Sequence, residues 1–326
     1  HSEHLRSMME DILAVSPDSV GIFNNGDTAD RGTDADYEEF LNILSEYPDG
    51  ATVYSCIGNH EMFRFGLPIP DGTELSSIKQ AFFEHLSSTI PQDASFSGGS
   101  RLSSLSFSFW KNGHKFIFLG TDVLDQNQIE LNSTTLAWLK DQLDEDRDPT
   151  RAVFIIMHQQ MADVTEDRSY VRAATETALR GLLVDYPEVI MFNGHTHSSL
   201  YEELGYYQGD EVLPSTFNCS SVGYVPKPFY RSGGNLNDSS NSSEGYYVYV
   251  YEDKVVVKGR DFLTGEWIAS AQYIVDLSDE GPDITKKTVK APYYGQTTAD
   301  PVISDGKIGG TVTCFLPAAH NATAVA

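Results

Sequence analysis

Gly194-His195-Thr196-His197 is the stretch of this sequence on which the interpretation of the whole chain depends. It follows a short apolar run over residues 189–192, which predicts a buried β-strand. Two histidines separated by one residue put two imidazoles at the end of that strand, and imidazole is the commonest metal ligand in proteins. The stretch therefore predicts a metal site at the carboxyl end of a strand.

Three other polar clusters follow predicted strands in the same way. The strands are apolar runs over residues 19–24, 51–57 and 152–157. The clusters are Gly26-Asp27-Thr28-Ala29-Asp30-Arg31-Gly32, Gly58-Asn59-His60-Glu61 and Met157-His158. Ligands of open α/β sheets bind at the carboxyl ends of the strands. We therefore expect all four clusters to converge on one crevice.

Helix and strand patterns alternate through the first part of the chain, which predicts a mainly parallel sheet covered by helices. Apolar residues at helical spacing predict α-helices over residues 5–15, 37–47, 136–143 and 175–186. A hairpin is predicted over residues 105–120, and later strands over residues 246–252, 254–261 and 271–275. We expect a domain over residues 1–275, a mobile loop over 232–244, and a tail or further domain over 276–326.

Each cluster taken alone also has a simpler interpretation. Gly26-Asp27 is typical of a turn, Asn59 of a helix N-cap, and His158 of a hydrogen-bonded core histidine. The four together, each after a predicted strand, favour a common metal centre. Asp, Asn and His side chains suit Mn, Fe or Zn.

The composition limits the partners of the protein. The chain has 326 residues, 40% of them hydrophobic, which is typical of a folded globular protein. Its net charge of −25 argues against binding a nucleic-acid backbone, which proteins grip with Lys and Arg. A phosphate ligand needs a local positive charge, and a bound metal supplies one. No apolar run approaches the roughly 20 residues that span a bilayer.

The residue usage also bears on the cellular location. Cys56, Cys219 and Cys314 lie far apart in sequence, which predicts neither a zinc–thiolate site nor a disulfide scaffold. Few cysteines and lysines, with many Tyr, Ser, Thr and Asn, are typical of exported bacterial proteins. We therefore expect an extracellular or cell-surface location, although the polar start of the chain does not read as a signal peptide.

In this order, the four clusters resemble the motifs of the calcineurin-like metallophosphoesterase superfamily. Those motifs run D-x-H, G-D-x-x-D, G-N-H-[DE], H and G-H-x-H, and the resemblance covers about residues 5–274. It implies an α/β fold of two mixed β-sheets packed face to face with helices outside. It also implies hydrolysis of a phosphate mono- or diester by a hydroxide that bridges two divalent metal ions.

The resemblance assigns a metal-binding role to five residues. Asp27 would bridge the two ions, and His197 would belong to the first site. The second site would be completed by Asn59, His158 and His195. The ions would be Mn, Fe or Zn.

Two further residues receive roles in catalysis and substrate binding. His60 would protonate the leaving oxygen or stabilise the charge that forms on phosphorus. Arg31 occupies the position at which protein Ser/Thr phosphatases contact substrate phosphate. The Gly-His-Thr-His motif instead resembles the broad phosphodiesterase branch. Arg31 is therefore either a phosphate clamp or a surface residue paired with Asp30.

The D-x-H motif is not in this sequence. It would lie on a strand before the helix that begins near Leu5, so we expect an upstream segment to carry it. With only Asp27 and His197, the first site is predicted to be weak or empty. Two functions stay open. One is a hydrolase acting on a small phosphate ester or a cell-surface phosphodiester. The other is a non-catalytic, exported binding module with an incomplete metal site.

Overall fold

The structure is a computed structural model that describes most of the chain up to residue 277 and four short segments after it. The described residues are 1–48, 50, 52–62, 69, 71–125, 127–162, 164, 169–201, 206–207, 214–226, 239–240, 242–277, 293–294, 302–305, 312–315 and 319–320. Within these residues, no helix combines the length and apolar character needed to cross a membrane.

Helices and strands follow one another in the order that the sequence patterns predict, with several additions. The α-helices are α1 Ser2–Val15, α2 Asp34–Ser45, α3 Leu75–His85, α4 Ser133–Asp144 and α5 Ala173–Leu183. The strands up to the last predicted helix are β1 Ile22–Asn24, β2 Val53–Ser55, β3 Ser95–Phe96, β4 Phe107–Lys111, β5 His114–Leu119 and β6 Val153–Met157. The later strands are β7 Val189–Asn193, β8 Tyr206–Tyr207, β9 Ser215–Asn218, β10 Val225–Pro226, β11 Ser239–Ser240, β12 Glu244–Val250, β13 Lys254–Asp261 and β14 Glu266–Asp276.

One layer of the fold is a mixed sheet of seven strands in the order β3-β4-β5-β6-β7-β9-β8. Strands β5, β6, β7 and β9 are parallel, and the strands at both margins are antiparallel. Successive side chains of a strand point to opposite faces. In β5, Phe116 and Phe118 face one hydrophobic cluster, whereas Ile117 and Leu119 face another. The sheet is therefore covered on both faces.

The opposite layer contains the parallel pair β1-β2 and the antiparallel sheet β12-β13-β14. The core between the layers combines Phe118, Phe154 and Phe192 of the seven-stranded sheet with Tyr54 and Val257 of the opposite layer. Helices α4 and α5 cover the outer face of the seven-stranded sheet, and α1 packs on β12. The predicted fold of two β-sheets packed face to face with outer helices is confirmed.

Two parts of the chain differ from the sequence-based expectation. Helix α3 and strand β9 were not predicted. The loop predicted over residues 232–244 lies partly outside the described residues, but Ser242, Ser243 and Glu244 are buried and Glu244 begins β12. These polar residues are buried because they bond to one another and to neighbouring backbone, as in the bond from Ser242 Oγ to Glu244. After residue 277, the described residues form two small antiparallel strand pairs.

Asp11 fastens α1 to the sheet beneath it. Its carboxylate accepts two hydrogen bonds from Arg260, at 3.0 and 2.6 Å, and one from Tyr247 Oη at 2.8 Å. Both charged side chains are about nine-tenths buried. Arg260 also lies over the ring of Trp267. A paired charge of this kind becomes costly when its partner is removed.

We expect Asp11→Ala to lower the free energy of unfolding by about 3 kcal/mol, because it leaves the Arg260 guanidinium buried without its carboxylate. Chemical denaturation of the two proteins measures this difference. Arg6→Ala is the matched control, since the pair between Arg6 of α1 and Glu46 after α2 has the same bidentate geometry but is much more exposed to solvent. Equal losses for the two variants would contradict the expectation.

Candidate metal centre

Four strand ends meet at one edge of the two-layered core. Asp27 follows β1, Asn59 follows β2, His158 follows β6 and His195 follows β7. Two contacts hold these ends together: His158 Nδ1 lies 2.8 Å from the Asn25 carbonyl of the opposite layer, and the Gly194 amide donates to the His158 carbonyl at 2.9 Å. The four clusters therefore converge as the sequence predicts.

Neighbouring donor atoms of four side chains lie about as far apart as two adjacent ligands of one metal ion. His158 Nε2 is 3.1 Å from Asp27 Oδ2 and 3.0 Å from Asn59 Oδ1. His195 Nδ1 is 2.9 Å from Asn59 Oδ1 and 3.2 Å from His158 Nε2. Adjacent ligands at right angles around a metal with bonds of about 2.1 Å are roughly 3.0 Å apart. This donor set of oxygen and imidazole nitrogen therefore fits a divalent transition-metal ion.

The tautomer of His158 is set by its backbone partner. Because the Asn25 carbonyl can only accept, Nδ1 of His158 carries the proton and donates to it at 2.8 Å. In the neutral ring, Nε2, which faces Asp27 and Asn59, is then the nitrogen that can act as a ligand. Metal-binding histidines are usually oriented by a hydrogen bond from the other ring nitrogen, and a backbone carbonyl is a common acceptor of that bond.

The backbone is held in an unfavourable conformation at three of the predicted ligands. Asp27, His195 and His197 have φ values of 54°, 69° and 51°, in the left-handed region that L-residues rarely adopt. Such conformations cost of the order of 1–3 kcal/mol each and cluster at functional sites. The surrounding structure thus stabilises three strained residues that all belong to the candidate centre.

Two glycines allow the ligand-bearing loops to approach each other. A Cβ on Gly26, which has φ +105°, would lie 2.7 Å from the Gly58 amide nitrogen and 2.9 Å from His158 Nδ1. A Cβ on Gly58 would overlap the Asp27 carboxylate. The glycine in each motif is therefore required by close contact between the loops.

The charges of the cluster are mutually dependent. Although burial opposes it, the positive charge of His158 lowers the pKa of Asp27, and the Asp27 carboxylate in turn raises the pKa of His158 against the effect of burial. Burial lowers the pKa of His195 to about 3 and that of His197 to about 4. Both histidines are therefore neutral at pH 7, which is the form that binds metal.

Glu61 joins the two loops that carry Asp27 and Asn59. Its buried carboxylate accepts hydrogen bonds from the amides of Asp27, Ala29 and Gly58, at 3.1, 2.9 and 2.6 Å. Sequence reasoning gave this residue no role, although its place in Gly58-Asn59-His60-Glu61 was a signal. Glu61 supports the ligands without being one of the grouped donor residues.

Glu61→Ala is expected to weaken metal binding about 10- to 100-fold, the usual effect of losing a group that orients a ligand. The reason is that three amides of the two loops lose their acceptor. Metal titration followed by calorimetry measures the affinity. Glu61→Gln is the matched variant, because its amide oxygen still accepts from part of the set, and it should bind more tightly than Glu61→Ala. An unchanged affinity in Glu61→Ala would contradict this role.

His60 lies beside the cluster with one ring nitrogen already occupied. Its Nδ1 is 2.8 Å from the Asp30 carbonyl and therefore carries a proton, while Nε2 lies 3.9 Å from Asp27 Oδ2. The His60 amide donates to the other oxygen of Asp27 at 2.9 Å. Nε2 is thus the atom at which His60 could exchange a proton next to the centre.

The other two predicted residues lie at the margin of this group. His197 is not among the grouped donors Asp27, His158 and His195, whose ligand atoms lie within 4.8 Å of one another. Its ring meets Tyr224 edge to face, with ring centroids 4.4 Å apart. The side chain of Arg31 is 66% exposed, and its Nε lies 3.3 Å from Asp30 Oδ2.

Two buried residues that sequence reasoning missed hold the loop after β7. The side-chain amide of Asn218 donates to the Gly194 carbonyl at 2.9 Å and to Thr196 Oγ1 at 3.0 Å. Glu244 accepts from the Leu200 amide at 2.6 Å and from Ser199 Oγ at 3.0 Å. They fix the strained segment that carries His195 and His197. Neither had a sequence signal, because Asn218 lies in a strand that was not predicted and Glu244 ends the predicted loop.

Comparison with known proteins agrees with this geometry. The family model described as calcineurin-like phosphoesterase matches residues 2–199, more than half of the chain. No curated protein gave a match. Among solved structures, a dimetal phosphatase from Danio rerio is similar, with a TM-score of 0.57, 16% sequence identity, and coverage of 80% of this chain and 86% of that chain. That likeness concerns the fold, whereas the family match concerns the sequence. The chain therefore belongs to the calcineurin-like phosphoesterase family.

Proposed function

We propose that this protein hydrolyses phosphate esters at a metal centre held by Asp27, Asn59, His158 and His195. The observation that carries the proposal is the spacing of their donor atoms, 2.9–3.2 Å between neighbours, on four strand ends of a phosphoesterase fold. The tautomer of neutral His158 and the neutral state of His195 support the same assignment, because each leaves a nitrogen lone pair for a metal.

The first metal site, beside this group, is proposed to be formed by Asp27 and His197. The neutral state of His197 and its strained backbone support this assignment. Asp27 has two carboxylate oxygens, so it is suited to serve both ions. Mn, Fe or Zn ions fit these ligands. When bound, such ions activate a water molecule and neutralise charge on the phosphate.

His60 and Arg31 complete the proposed chemistry. His60 holds one proton on Nδ1 against the Asp30 carbonyl, so the imidazolium form carries its second proton on Nε2, and that proton can pass to the leaving oxygen. Arg31 is exposed and shares its charge with Asp30, which leaves guanidinium hydrogens for a phosphate oxygen. In a chain with a net charge of −25, these are the cationic groups we assign to the phosphate.

The substrate is proposed to be a small phosphate ester or a cell-surface phosphodiester, met outside the cytoplasm. The composition of the chain, which is typical of exported bacterial proteins, supports this location. The alternative is a binding module that has the fold and the Asp27–His158 group but does not catalyse hydrolysis. Metal binding is common to both, so only hydrolysis separates them.

The deciding experiment measures hydrolysis by the full-length protein. Nitrophenyl phosphate and bis-nitrophenyl phosphate are tested with added Mn, Fe or Zn and after chelation. The proposal predicts release of nitrophenol that depends on the added metal, and the ratio of the two rates separates monoesterase from diesterase. If metal binds but neither ester is hydrolysed with any of the three ions, the binding module replaces the enzyme.

A further inference from the structure

Tyr224 is an exposed aromatic residue at the border of the candidate metal centre. Its ring meets that of His197 edge to face, with centroids 4.4 Å apart and an interplanar angle of 72°. That contact places Tyr224 directly beside a proposed metal ligand. Even so, 38% of Tyr224 is exposed. Part of the residue is therefore open to solvent beside His197.

The backbone that presents Tyr224 is tied down on several sides. The Tyr224 amide donates to Ser221 Oγ at 3.3 Å, and the Ser221 carbonyl accepts from the Glu244 amide at 2.9 Å. The two carbonyls before Tyr224 are 3.2 Å from His4 Nδ1 and 2.9 Å from His1 Nδ1. An exposed ring on a fixed backbone is preorganised to bind a ligand, since little conformational entropy is lost.

The other histidine of the Gly-His-Thr-His motif has a matching neighbour with a different environment. Tyr170 meets His195 edge to face at 4.3 Å, but it is less exposed than Tyr224. Its backbone bonds to Ile129 and to Gln160. Of the two tyrosines in contact with the motif, Tyr224 is therefore the one more open to a ligand.

We propose that Tyr224 is a specificity-determining residue that contacts the alcohol part of the substrate. With the phosphate at the metal centre, a ring attached to the ester oxygen can pack against Tyr224, and aromatic pairs of this kind prefer offset or edge-to-face contact. The substrate class is then a phosphate ester whose leaving group carries an aromatic ring. This inference rests on the proposed function, because it takes the metal centre as the phosphate site.

The test compares the binding of two phosphonates that cannot be hydrolysed. Phenylphosphonate and ethylphosphonate are titrated by calorimetry into the Mn-loaded full-length protein. We expect the wild type to prefer phenylphosphonate. Tyr224→Ala should weaken phenylphosphonate binding about three- to tenfold, the usual range for an aromatic pair, and change ethylphosphonate binding much less. Tyr224→Phe should keep the preference, because it keeps the ring.

Tyr251→Ala is the control. Tyr251 is similarly exposed, at 43%, but it comes directly after β12, at the end opposite to Glu244. This substitution should not alter either affinity. Two results would contradict the aromatic contact without contradicting the phosphate site. One is an equal loss of affinity for both phosphonates in Tyr224→Ala. The other is a Tyr224→Phe variant that binds phenylphosphonate as weakly as Tyr224→Ala. If the Mn-loaded wild type binds neither phosphonate, the proposed phosphate site at the metal centre is itself contradicted.

Discussion

Asp27→Ala is expected to lose the bound metal and to reduce hydrolysis below detection. Asp27 is proposed to serve both ions, and its Oδ2 lies 3.1 Å from His158 Nε2. Groups that merely orient a ligand change metal affinity about 10- to 100-fold, so loss of the shared carboxylate should exceed that range. Metal content after gel filtration and the rate of nitrophenyl phosphate hydrolysis measure the two effects.

Asp27→Asn is the matched variant, because it removes the negative charge and is compatible with the same backbone conformation. With φ at 54°, Asp27 occupies a region that Asn tolerates better than Ala. Asn also preserves one side-chain oxygen for the His60 amide, which now bonds to Asp27 Oδ1 at 2.9 Å. We expect Asp27→Asn to fold like the wild type and still bind metal weakly. Full metal content in Asp27→Ala would mean that the centre lies elsewhere.

His60→Ala is expected to lower kcat by about 10²–10⁴-fold, the typical contribution of general acid–base catalysis, with nearly unchanged metal content. The structural reason is that one ring nitrogen is bonded to the Asp30 carbonyl at 2.8 Å and the other lies 3.9 Å from Asp27 Oδ2. The loss should be greatest for esters with a poor leaving group and smaller for nitrophenyl esters, which need less help from a proton donor.

The control for this variant is His85→Ala. His85 lies on α3, pairs with Asp34 at 3.0 Å and stacks on Tyr37, so it is a partly buried histidine with an acidic partner outside the centre. Its removal should leave kcat unchanged. A His60→Ala protein that loses metal as severely as Asp27→Ala would show that His60 is a ligand and that the division between ligand and acid is wrong.

The sequence predicted the convergence of the four strand ends better than it predicted the supporting structure. Asp27, Asn59, His158 and His195 could be placed together because each follows a strand and parallel strands end at one edge. Glu61 and Asn218 could not be assigned, since their roles depend on backbone amides and carbonyls that come together only in the folded chain. Tyr224 had no motif around it, and its relation to His197 arises from tertiary packing.

The missed elements have local explanations. Strand β9 reads Ser215-Thr216-Phe217-Asn218, a polar composition that does not indicate a buried strand, yet all four residues are buried between β7 and β8. Helix α3 carries apolar residues at Leu75, Ile78 and Phe82, a helical spacing that predicts a helix although none was expected there. Strand β1 has three residues, too few for periodicity to set its bounds.

Anomalous scattering from crystals of the 326-residue chain grown with Mn tests the central claim most directly. The account predicts one strong peak within roughly 2.2 Å of donor atoms of Asp27, Asn59, His158 and His195, and a weak or empty position between Asp27 and His197. Two equally occupied positions would show that the first site has ligands not identified among these residues. A strong peak elsewhere, or none at the four donors, would contradict the proposed metal centre.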